Sequence, residues 1–166
     1  MKYPVFIYVF IIGMTPLFAQ LNFQKIMDEY PLYNSVDCKK NEAIVLEAAV
    51  YLLSHPINTP DNNRYYAYNY IETWMIQTSD YFFDTPSEIN EIIGLNFGLK
   101  AIYKASLCKT TLTHENIDTK SKHFRIQVLI NLLNYIEKPK NQVTITKKIE
   151  KYLNANKSNS LELLIH

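Results

Sequence analysis

Three glycines in 166 residues leave this chain few places to turn tightly, and one of them, Gly13, lies in the N-terminal leader. Glycine supplies the positive φ that short β-hairpins need. Strict apolar–polar alternation is scarce as well. The punctuation instead marks helix starts and stops, so the spacing predicts an all-α fold, a compact bundle of about five or six helices.

A short helix over 21–30 stops before Pro31. A second runs from about Cys38 to Ser54 behind Asp37 as N-cap. It ends at His55-Pro56, since the residue before proline avoids the α region. A third covers 62–78 with Asp61 as N-cap. Thr85-Pro86-Ser87-Glu88 reads as a capping box with proline at the first helical position. The helix it opens reaches about Lys109, with Gly94 a candidate break. Another covers 118–137 and stops ahead of Pro139, and the last covers 144–155. Residues 156–166 are read as a polar, loose tail. Val45-Leu46 before Pro56-Ile57-Asn58 is echoed by Val128-Leu129 before Pro139-Lys140-Asn141. The echo fits two copies of a helix-hairpin unit. Proline after a core helix is common enough to produce it too.

The helices over 38–54 and 118–137 carry the broadest apolar faces, which places them at the centre of the core. Between them, Gly94, Gly98, Ala101, Ala105 and Cys108 form a stripe of small residues. Such a stripe admits a bulky partner, and the aromatic residues of helix 62–78 are the expected one.

Lys2, the apolar run Val5–Met14, Pro16 and a cut after Ala19 form the layout of a secretory signal peptide. The run is shorter than the ~20 residues a membrane span needs. Cleavage between Ala19 and Gln20 would leave a single domain in the periplasm or outside the cell. That domain carries 16 basic and 16 acidic residues. A neutral chain without basic clusters argues against nucleic acid as a partner. Cys38 and Cys108 could pair, as exported cysteines often do, or be two buried small side chains. In an up-down bundle they lie at opposite ends unless the chain reverses near Gly94.

From Asn63 to Phe83 the chain holds five tyrosines, one tryptophan and two phenylalanines. At 100° per residue Ala67, Tyr68, Tyr70, Ile71, Trp74, Met75 and Thr78 share one arc, the core face. Arg64 lies near it. Tyr65, Tyr66 and Ile76 fall outside and are surplus to a one-sided core. With Arg64, Asp80 and Tyr81 they form the candidate binding surface. Another segment covering these residues would leave them structural. Tyr81 to Phe83 are expected to fold back as a lid on the core.

Asn63-Arg64, Ile71, Trp74-Met75, Thr78 and Asp80-Tyr81 resemble a segment of small exported helical proteins of Bacteroidota-type bacteria, and the Phe18-Ala19-Gln20 leader end fits them. The resemblance implies the fold and the export. It implies no activity.

The four histidines, His55, His114, His123 and His166, form no HExxH or His-x-His motif, and CxxC is absent. No nucleophile elbow, phosphate loop or carboxylate pair stands out. The sequence therefore predicts no cofactor, no metal and no catalytic residue. It points to a module that binds a protein or peptide. A small-ligand or glycan binder using the surplus aromatics is the alternative, and a hydrolase assembled from distant residues is a third.

Overall fold

The computed structural model describes residues 21–114 and 117–165. The leader and its cleavage site lie outside them. The described residues form eight α-helices: α1 Phe23–Glu29, α2 Ser35–Lys40, α3 Glu42–Ser54, α4 Asn62–Gln77, α5 Ser87–Ile93, α6 Phe97–Thr113, α7 Lys122–Ile136 and α8 Lys147–Lys157. Short 3-10 turns follow at Pro139–Asn141 and Leu161–Leu163. No strand occurs among the described residues, and none of their helices is long and apolar enough to cross a membrane.

Eight helices exceed the expected five or six because two runs are interrupted. The run over 38–54 breaks at Asn41, where the backbone leaves the helical basin. Asn34, not Asp37, is the cap upstream: its Oδ1 accepts from the N–H groups of Val36 and Asp37. The other break is Gly94, at φ +53° and ψ −130°, a conformation essentially reserved for glycine. Asn96 then restarts the helix by accepting from Leu99 N–H at 3.0 Å.

The expected capping box does not form. Pro86 precedes α5 without a side-chain cap. Glu88 turns inward beside Ile89, Ile92 and Ile93, because the four share one face of the short helix. The polar position is carried into the core by its neighbours, and Ser87 Oγ donates to it at 3.2 Å.

The centre of the molecule is α6. Its Leu99, Ile102, Tyr103 and Leu107 join a core cluster with α5, α7 and α8. Its Ala105 and Cys108 join a second cluster with Phe23, Ala48, Ala49, Leu52, Tyr70 and Trp74. It thus contributes to both clusters and lies between them. Its main partner is α3, with α4 contributing less. The small-residue stripe meets both: Ala105 and Cys108 share a cluster with Ala48 and Ala49 of α3 and with Tyr70 and Trp74 of α4, and Ala101 borders a groove with Tyr65 and Tyr68. At Gly98 a Cβ would overlap Ile57 Cγ2, so the connection after α3 presses directly on the start of α6.

The tail is not loose. The polar stretch ends α8 and turns through Asn159, at φ 52°. Beyond it Leu161 and Ile165 are buried in the α5–α8 cluster. Each such side chain gains about 1.5–3 kcal/mol on burial, enough to fix a short polar connection.

Cys38 and Cys108 lie in one cluster. Both are buried and unbonded, and burial raises both thiol pKa values, which makes them unreactive.

Two outcomes follow. Gly98→Ala should lower stability by about 1–3 kcal/mol in urea denaturation through its overlap with Ile57; an unchanged midpoint would show that the loop yields. Burial, with Glu91 and Glu88 nearby, pushes Tyr152 up to about 12, and burial raises Tyr70 and Tyr103 as well. A folded pKa above the unfolded ~10 means stability is intact below pH ~10 and is lost as pH climbs toward 12. The expected slope is about 1.4 kcal/mol per pH unit for each such tyrosine. Equal urea midpoints at pH 9 and 11.5 would contradict this.

Candidate functional site

Helix α3 ends at His55 because Pro56 follows, and its last carbonyls need donors. Arg64, in the first turn of α4, supplies them. Its Nη1 donates to Leu52 O at 3.2 Å and His55 O at 3.0 Å. Tyr135 of α7 donates to the same His55 O at 2.8 Å. Three helices are thereby tied at one point. Arg64 is only 8% exposed. Burial lowers its pKa, while the nearby phenols of Tyr135 and Tyr51 act in the other direction. A guanidinium remains protonated at neutral pH. Among the described residues no carboxylate forms an ion pair with Arg64, and its Nη2 has no hydrogen-bond partner. The nearby Asp61 is committed elsewhere: Oδ1 accepts from Asn63 N–H and Oδ2 from the Tyr51 hydroxyl.

Beside Arg64 a groove of about 300 Å³ opens between the starts of α4 and α6. Leu52 and Ala101 line it along with the rings of Tyr65, Tyr68 and Phe97. Tyr68 is held in place: its hydroxyl donates to Glu72 at 2.9 Å, and Lys104 both pairs with Glu72 and lies 5.5 Å above the ring. Tyr65 and Phe97 are 63% and 85% exposed, and Leu95, at the turn before α6, is 99% exposed.

The six residues of the candidate surface do not form one site. Arg64 and Tyr65 meet at this groove. Tyr66 points to the other flank of α4, beside Leu21, Asn22 and Asn63, with its ring edge on Tyr65 at 5.5 Å. Ile76 is exposed near the far end of α4, about 16 Å along the axis from Tyr65 by helical rise. Asp80 and Tyr81 lie in a separate, polar hollow with Lys39, Glu42 and Thr111. There Lys39 bridges Glu42 at 3.2 Å and Asp80 at 3.7 Å, and Tyr81 donates to Glu42 at 3.3 Å. Tyr70 and Trp74 are buried on the core face of α4. Tyr81 and Phe83 fold onto Trp74 as a lid, while Phe82 stays exposed.

Phe97 and Leu95 escaped the sequence reading. The signal was present in Gly94-Leu95-Asn96-Phe97-Gly98: two large apolar residues set among turn formers, with no helix face to serve. Among the described residues no group of three His, Cys, Asp or Glu side chains is placed to hold a metal.

Arg64→Leu should cost about 1–3 kcal/mol by leaving the Leu52 carbonyl without its donor and the His55 carbonyl with Tyr135 alone. Phe97→Ser should change stability by no more than about 0.5 kcal/mol. Paired thermal and urea unfolding will separate them; equal effects would mean that Arg64 does not clamp α3.

Compared with known proteins, the chain matches no family model, no curated protein and no solved structure.

Proposed function

We propose that this protein is an exported binding module that takes a peptide or protein partner in the groove between α4 and α6. One observation carries the reading: Tyr65 and Phe97 stand largely in solvent on the rim of a preformed apolar groove. Exposed aromatic side chains beside a rigid pocket are what interaction hot spots are made of. The pocket is rigid because Tyr68 is pinned by Glu72 and Lys104, and its back wall by the Arg64 clamp. The export part rests on the leader, with removal after Ala19. The same groove would be the place for a glycan or small ligand, but its rim is aromatic and its polar groups are mostly committed internally, which favours a partner with apolar side chains. We also read α3–α4 and α7–α8 as two hairpin units. Their proline-ended helices meet through Tyr135 and His55 O and through Lys140 Nζ, which donates to Ser54 O at 3.3 Å.

Panning the protein against a random peptide library should enrich sequences with apolar or aromatic residues, and Tyr65→Ser with Phe97→Ser should abolish the enrichment. Enrichment that survives both changes would move the site elsewhere, and none at all would remove the reading.

A further inference from the structure

Arg64 carries a buried charge that has no ion pair among the described residues. A guanidinium buried to this extent is ordinarily paired with an acid. Here both of its hydrogen bonds come from Nη1 and go to neutral carbonyls. Nη2 has no partner. That nitrogen is one of the donors with which a guanidinium grips a carboxylate. The same groove is bordered by Phe97 and Gly98, the first turn of the 17-residue α6. A helix start carries a partial positive charge and N–H groups without helical partners. Asn96 takes only that of Leu99. Two independent features, an unpaired buried guanidinium and a helix N-terminus, therefore favour negative charge at one spot. Around it the lining is aromatic and aliphatic apart from Asp61, whose carboxylate oxygens are taken up by Asn63 N–H and the Tyr51 hydroxyl.

A ligand that satisfies both halves is an apolar body carrying a carboxylate. The groove, at about 300 Å³, is at the lower end of the range for ligand pockets, ~300–1,000 Å³. It has room for one large side chain and its terminal group, not for a folded segment. We infer that the groove captures the C-terminal residue of a polypeptide, with its free carboxylate on Arg64 and the start of α6, and its last side chain among Tyr65, Tyr68 and Phe97. The inference rests on the peptide-binding reading above and names the part of the peptide that is recognised.

The test uses the whole chain and three probes: acetyl-Ala-Ala-Ala-Phe as the free acid, the same peptide as its C-terminal amide, and phenylacetate. Isothermal titration should show the acid binding at least about tenfold more tightly than the amide, the discrimination expected for a charge-assisted pair. Phenylacetate should bind more weakly than the peptide acid. Phe97→Ser, at an exposed position, should weaken the acid and the amide alike. Arg64→Lys, checked for helical content by circular dichroism, should erase the difference between them. Equal binding of acid and amide would overturn the inference and leave the peptide-binding reading standing. Phenylacetate binding as tightly as the peptide acid would assign the site to small free carboxylic acids instead. No binding of any probe would also overturn it, and the library experiment would still decide the broader reading.

Discussion

The carbonyl oxygen of His55 organises one whole end of the molecule. It accepts from Arg64 of α4 and from Tyr135 of α7, so three helices that meet nowhere else in sequence are held by one acceptor. The requirement for it is local. Proline at position 56 forces the chain out of the helix and leaves carbonyls pointing out of α3. A single guanidinium nitrogen, Nη1 of Arg64, satisfies two of them at once. The cost is a buried positive charge, and that cost gives the neighbouring groove its chemical character. The geometry of the site and the stability of the helix end are one arrangement seen from two sides.

Much of this was legible in the sequence, and the failures are specific. Proline and N-cap chemistry located most helix ends to within a few residues, because a missing N–H and a restricted φ act locally. The core face of α4 was correct at Tyr70 and Trp74, where period and size agree. The share of α6 in the core was underread because it buries Ser106, Thr110 and Thr111 along with its apolar residues. Hydroxyls can bond back to the preceding turn, as Ser106 does to Ile102 O at 2.8 Å, so they enter a core without appearing apolar in a pattern. The tail was misread for the opposite reason: a polar stretch hid two anchors, Leu161 and Ile165, that lie just beyond it.

The candidate surface failed in a different way. A helical wheel sorts residues by angle and is blind to what covers each flank. Tyr65 and Tyr66 are neighbours in sequence, yet α1 with Leu21 and Asn22 covers one flank of α4 while the other opens onto α6. Whether an outward side chain lines a groove depends on elements 30 residues away, such as the turn at Gly94, and no local period carries that information. Arg64 was visible as a residue near the core arc. That it would be buried with one nitrogen unpaired depended on where α3 stopped and which way α7 ran.

The division of the core by α6 has an optical consequence. The chain has a single tryptophan, and it lies in the α1–α4 half, packed against Tyr81 and Phe83. Its emission is blind to the α5–α8 half, whereas far-ultraviolet ellipticity sums over both. A chain that melts as one unit will give superimposable traces from the two signals. A chain whose α7–α8 layer peels away first will lose ellipticity while its fluorescence holds. The placement of one indole thus turns an ordinary spectrometer into a gauge of whether the two halves of this protein share a fate.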